Sequence, residues 1–162
     1  MYEPEIVTIS PITVIGPVVR TNNKIEATAD GVITKLHEAF IKNHMSDAID
    51  EKLDDHIISL YTEYDSGESG DYTYCIGHQV KDPEDMPKDC EIFDIPGGRY
   101  LRYPTERGLL HEVLPQAWQD IWRKTQAGTL GAERAYQTDF EFHNGDDELL
   151  DAQVDIYLSI KE

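Results

Sequence analysis

The chain carries one strand pattern twice, once in each half. The first copy reads Ile57-Ile58-Ser59-Leu60-Tyr61-Thr62-Glu63-Tyr64, then Asp65-Ser66-Gly67, then Tyr72-Thr73-Tyr74-Cys75-Ile76. The second reads Ala135-Tyr136-Gln137-Thr138-Asp139-Phe140-Glu141-Phe142, then His143-Asn144-Gly145, then Val154-Asp155-Ile156-Tyr157-Leu158. Each copy sets a glutamate, Glu63 or Glu141, in the same place ahead of a Gly turn and a partner strand. An amphipathic segment precedes each hairpin, and an apolar strand precedes that. A strand–helix–hairpin unit present twice points to an α+β fold. Two β-α-β-β units would be related by a pseudo-two-fold axis, with an antiparallel sheet packed against two helices. The seam between the copies is a natural ligand site. The two glutamates are its obvious anchors for a positively charged group.

No low-complexity tract separates the halves, so the 162 residues read as one domain. Its repeats span about 4–80 and 89–162, and neither would bury a core alone. The opening segment from Ile6 to Val19 is β-branched and broken by Pro11, Gly16 and Pro17, as in an edge strand with a bend. Apolar residues at three- and four-residue spacing from Ile25 to Ile41 predict a helix over about 24–44, capped by Asn22 or Asn23. Hairpin strands are expected over 56–65 with 71–80, and over 133–143 with 151–161. Between the hairpins, Cys90–Ile95 and Arg99–Tyr103 flank a break at Pro96-Gly97-Gly98. A second helix is expected from about Glu106 to Gln126, with Pro115 awkward inside it and Gly128 ending it.

The net charge of −18 disfavours nucleic acid, because phosphate contacts need clustered Lys and Arg. It equally disfavours an anionic membrane surface, and no apolar run approaches the roughly 20 residues that span a bilayer. Much of the acid falls in three runs, Asp47 to Asp55, Asp82 to Glu91 and Asp146 to Asp151, which read as solvated surface. Cys75 and Cys90 form no CxxC. They read as free thiols of a cytoplasmic protein without a structural metal. GxGxxG, HExxH and GxSxG are all missing from the sequence, so no cofactor or nucleophile motif is indicated.

Strand period two puts Asp139, Glu141 and His143 on one face and Thr138, Phe140 and Phe142 on the other. Taken alone, that pattern turns the Phe rings to the helices and Glu141 to water. Glu63 reads the same way, with Tyr61 and Ser59 on its face. Trp118 and Trp122, four apart, share one face of the second helix. Tyr61, Tyr72, Tyr74, Tyr100, Tyr103, Tyr136 and Tyr157 spread rings over nearly every strand. Such rings beside carboxylates suit a flat organic cation, each cation–π contact adding about 0.5–2 kcal/mol. Together with the family likeness set out next, these residues make the candidate ligand-binding set Glu141, Glu63, Trp118, Trp122, Tyr74, Tyr100 and Tyr157. A buried carboxylate without partners would be costly.

Several pieces in order over nearly the whole chain carry a likeness. They are Ile95-Pro96-Gly97-Gly98-Arg99-Tyr100, Ile121-Trp122, Asp139-Phe140-Glu141-Phe142 and Val154-Asp155-Ile156-Tyr157-Leu158-Ser159-Ile160-Lys161. The chain resembles the GyrI-like family, the effector-binding domain also appended to AraC-type and MerR-type regulators, and most of all its stand-alone integron-cassette branch. The resemblance implies a duplicated β-α-β-β fold with an apolar pocket for lipophilic cations. It places the pocket glutamate on Glu141. The family commonly has Tyr where this chain has Phe142, and Tyr157 matches a pocket tyrosine of some members. The match uses the whole chain, so a transcriptional role is expected to need a separate regulator protein.

Three functions follow as expectations. The first is a binding protein for small organic cations, sequestering or sensing them as a monomer or weak dimer. The second is an interaction module whose acidic surface docks on a DNA-processing enzyme or regulator. The third is a hydrolase of electrophilic small molecules, with Glu141 as general base and Tyr100 or Tyr157 steadying the leaving group.

Overall fold

The computed structural model describes residues 3–49, 52–54, 56–67, 69–81, 87–143 and 150–161. Parts of the three acidic runs, including 82–86 and 146–149, lie outside the described residues, as does the Asn144-Gly145 turn. Nine strands and three α-helices occur among the described residues. The strands are β1 (Glu5–Ile9), β2 (Ile12–Gly16), β3 (Val18–Thr21), β4 (Ile58–Thr62), β5 (Tyr72–Gln79), β6 (Glu91–Ile95), β7 (Gly98–Pro104), β8 (Thr138–His143) and β9 (Val154–Ser159). The helices are α1 (Asn23–Glu26), α2 (Ile33–Lys42) and α3 (Leu110–Ala127).

All pairings are antiparallel, in the order β1-β7-β9-β8-β4-β5-β2-β6, with β3 also on β5. The two hairpins meet in the middle, where Leu60 of β4 faces Phe140 of β8. The succession strand, strand, helix, hairpin runs twice, from β2 to β5 and from β6 to β9.

Two short links dictate the shape of this sheet. β1 and β2 stand far apart in the row, yet only Ser10 and Pro11 join them. β6 and β7 are likewise separated in the row and joined by Pro96 and Gly97. The sheet must curl until its ends approach. Its inner face is then a core of its own, holding Val14, Ile58, Leu60, Cys75, Ile95, Tyr100 and Phe140. The other face carries two further clusters. One packs Ile121 and Ala117 of α3 against Val154, Ile156 and Leu158. The other packs Phe40 of α2 against Tyr72, Tyr74 and Ile76. A residue in the central strands is therefore covered whichever way it points.

The bend read at Gly16-Pro17 has a steric cause. β2 and β3 pair with successive stretches of β5, Ile15 opposite His78 and Val18 opposite Cys75. Between them the backbones nearly touch. A Cβ on Gly16 would sit 1.9 Å from the Ile76 carbonyl oxygen, and one on Gly77 would sit 1.9 Å from that of Ile15. Only glycine fits at either position.

The first helix differs from expectation. The continuous helix over 24–44 is two helices, α1 and α2, interrupted between Glu26 and Ile33. Asn22 does cap the start, its Oδ1 accepting from the Ile25 amide at 2.8 Å. The interruption is held by Glu26. Its carboxylate accepts from the amides of Val32 and Ile33 at 3.0 Å each, and from the Thr21 hydroxyl at 2.6 Å. These are orphan amides at the head of α2, supplied with a side-chain acceptor. The apolar spacing survives the break, so periodicity alone did not reveal it.

The second helix begins at Leu110, later than expected, and ends at Gly128 in the left-handed conformation with φ 72°. The chain before it stays extended, with Gly108 bridged to Ala152. Pro115 lies inside the helix, which continues through it although proline has no amide for the carbonyl four residues earlier.

Candidate functional site

Strand β8 presents Asp139, Glu141 and His143 to the helix-bearing face, and Phe140 to the curled interior. This reverses the reading of the alternation taken alone. Phe140 and Phe142 do not face the helices, because the curl gives the rings a second core to enter. Glu141 does not meet water: its exposure is 1%, the same as that of Phe140.

Glu141 lines a cavity of about 640 Å3. The cavity lies over the central hairpins, between residues of α2, such as His37, and residues of α3, such as Leu114 and Trp118. Among the described residues, seven Tyr and Trp side chains line it: Tyr61, Tyr64, Tyr72, Tyr74, Trp118, Trp122 and Tyr136. The rings meet edge to face, Tyr61 lying 5.2 Å from both Tyr74 and Trp118. Trp122 lies 6.2 Å from Trp118.

The carboxylate of Glu141 is well supplied with donors. Tyr61 Oη and Trp118 Nε1 both donate to its Oε2 at 2.7 Å. His143 Nε2 lies 3.3 Å from its Oε1. It is thus a partnered buried carboxyl group, unlike the costly unpartnered one considered from sequence. Burial, with the charge of Glu141 next, pushes the Tyr61 phenol well above its ordinary range. Tyr61 therefore stays a proton donor at physiological pH. A second network sits two residues back along the strand. Asp139, fully buried, accepts from Arg134 Nη2 and Tyr64 Oη at 2.7 Å each on one oxygen. Its other oxygen accepts from the Ser159 amide and hydroxyl at 2.8 and 3.0 Å. Burial alone would lower the Arg134 pKa, but Asp139 with Tyr64 and Tyr136 raises it overall.

The structure brings together Glu141, Trp118, Trp122 and Tyr74 around this one cavity. It does not bring the other three sequence candidates there. Glu63 falls beyond the end of β4, exposed, with φ 54°. Only its carbonyl is engaged, by Arg20. The β4–β8 register, centred on Leu60 and Phe140, makes Tyr61 and not Glu63 the counterpart of Glu141, and Tyr61 donates to it. Tyr100 and Tyr157 point into the curled interior. Tyr100 donates to the Pro96 carbonyl, and Tyr157 stacks on Phe140 at 4.5 Å. Neither can steady a leaving group beside Glu141, so that arrangement for hydrolysis is not formed.

Tyr64, Tyr136, His37 and the Arg134–Asp139 pair went unread as site residues. Asp139 carried a signal in sharing the alternation of Glu141. Arg134 carried none, since it lies outside the regular strand. Among the described residues, no three His, Cys, Asp or Glu side chains are placed to hold a metal ion. No described helix is long and apolar enough to cross a membrane.

A curled antiparallel sheet with helices over one face defines an α+β domain with a chamber of small-molecule size between them. The chain belongs to the family of integron-associated effector binding proteins, whose family model matches residues 5–160. It is 28% identical over 145 residues to YobU of Bacillus subtilis strain 168, named as a candidate transcriptional regulator, with 88% of each chain covered. Among solved structures, an integron cassette protein from the mobile metagenome of Vibrio cholerae superposes with a TM-score of 0.80 at 24% identity. That match covers 98% of this chain and 95% of the other. The structure of SAV2435 bound to tetraphenylphosphonium superposes with a TM-score of 0.76 at 14% identity, covering 99% and 94%. These two likenesses concern the fold.

Proposed function

We propose that this protein binds lipophilic organic cations in the Glu141 cavity and acts as a sequestering or sensing module. One observation carries the reading. A carboxylate of 1% exposure sits at the wall of a chamber lined by seven Tyr and Trp side chains. Such a wall offers a cation a counter-charge and ring faces together, in surroundings where both act more strongly than in water. The volume of about 640 Å3 falls in the range of small-molecule sites. A fold relative, SAV2435, has been solved with tetraphenylphosphonium, a cation of this class. The net charge of −18 favours the approach of cations from solution.

Calorimetric titration with tetraphenylphosphonium tests the reading, with tryptophan fluorescence as a second signal from Trp118 and Trp122. Saturable one-to-one binding with quenching is expected. Heats no larger than dilution, in folded protein, would remove the function proposed.

A further inference from the structure

The cavity already holds one cation of its own. Arg134 is 4% exposed and contributes to the cavity wall, whereas Asp139, its partner at 2.7 Å, is not among the lining residues. The guanidinium carbon lies 4.4 Å from the Tyr136 ring centre and 5.8 Å from that of Trp118. Those are ring faces a guest could otherwise use. Trp118 also donates to Glu141, so one indole separates the negative pole of the chamber from the positive one. Among the described residues the wall also carries Glu26, whose oxygens are taken by Thr21, Val32 and Ile33, and Glu38, which is exposed on α2. Deeper in, a guest meets the buried Glu141 carboxylate and, across an indole, the Arg134 guanidinium.

We infer that Arg134 sets the charge specificity of the cavity, admitting guests with a single positive charge and rejecting those with a second one at the far end. This rests on the cation-binding reading above. A monocation pairs with Glu141 and turns its neutral end to Arg134. A dication of the same shape held in the same pose brings its second charge toward the guanidinium, where like charges repel and Asp139, set behind it, offsets only part of that. Arg134 is suited to this duty because its ion pair and ring contacts hold it charged and in place.

Two flat probes of nearly equal shape separate the cases: 1-methyl-4-phenylpyridinium, a monocation, and N,N′-dimethyl-4,4′-bipyridinium, a dication. Calorimetry gives their affinity ratio in wild type, in Arg134→Met, and in the double variant Arg134→Met/Asp139→Asn. Wild type should favour the monocation by about tenfold or more. The double variant removes the guanidinium and the charge of Asp139 together, and its ratio should move toward the dication by about tenfold. Arg134→Met, where it folds, should move further, because Asp139 then attracts the second charge. If Arg134→Met does not fold, the double variant decides alone. A ratio within about twofold of wild type in the folded double variant, with the monocation still bound, would overturn the role of Arg134 and leave the cation site standing. Wild type that binds tetraphenylphosphonium but shows no preference for the monocation over the dication would also overturn it. Wild type that binds none of these cations would sink the cation site itself, and this inference with it.

Discussion

The change Glu141→Gln separates the charge of this side chain from its shape. The amide is nearly isosteric, and its oxygen can still accept from Tyr61 and Trp118, which both donate to Oε2. The –NH2 end then meets His143, 3.3 Å from Oε1, whose ring nitrogen can accept in the other tautomer. Folding stability should change by less than about 1 kcal/mol. Cation binding should change much more. A unit charge about 5 Å from the carboxylate, at an effective dielectric near 20, gains about 3 kcal/mol. Reorganisation of neighbouring dipoles trims this to about 1.5–3 kcal/mol, or roughly 10- to 150-fold in Kd. Titration with tetraphenylphosphonium and with neutral triphenylphosphine oxide provides the control. The cation should lose that factor, and the neutral compound should not. Equal affinity of wild type and variant for the cation, within about twofold, would refute the argument that this buried carboxylate is the counter-charge.

Other outcomes follow from the same contacts. Glu141→Ala leaves the Tyr61 hydroxyl and Trp118 indole without their acceptor, so urea melts should show a loss of about 2–4 kcal/mol, well beyond that of Gln. Gly77→Ala drives a Cβ to 1.9 Å from the Ile15 carbonyl oxygen and should cost more than about 4 kcal/mol or prevent folding, read from the yield of soluble protein and its denaturation midpoint. Glu26→Ala removes the acceptor of two α2 amides and one hydroxyl. It should cost about 1–2 kcal/mol and speed amide exchange at Val32 and Ile33 first. Thiol titration should distinguish the two cysteines. Burial pushes both thiols upward, Cys75 far more than Cys90, and Cys75 is fully enclosed. A raised pKa means less thiolate at pH 8, so Cys90 should react slowly and faster as pH rises, while Cys75 reacts only on unfolding.

Much of this molecule was legible as sequence. Alternating β-branched and aromatic residues marked the hairpins, and the order strand, helix, hairpin appeared twice. Pro96-Gly97 marked a break that became the link between β6 and β7, and Gly128 ended α3 where a left-handed residue was required. These features are local, because turn chemistry and periodicity act over a few residues. The break after Glu26 was not legible, since the interruption is held by a carboxylate folding forward onto amides six and seven residues on.

The face on which Glu141 lies is a different kind of fact. Period two assigns it to the side of Asp139 and His143 and says nothing about what covers that side. Two-residue links between distant strands force the sheet to curl, and the curl buries Phe140 on one face as the helices bury Glu141 on the other. The meeting of Tyr61 and Trp118 on one oxygen joins residues 80 and 23 positions from Glu141. Sequence alone determined which residues could form strands, turns and caps, because those preferences are settled within a few bonds. Only the tertiary structure decided that a carboxylate, seven Tyr and Trp rings and a guanidinium share one chamber, because that depends on how far the sheet bends and which helix closes over it.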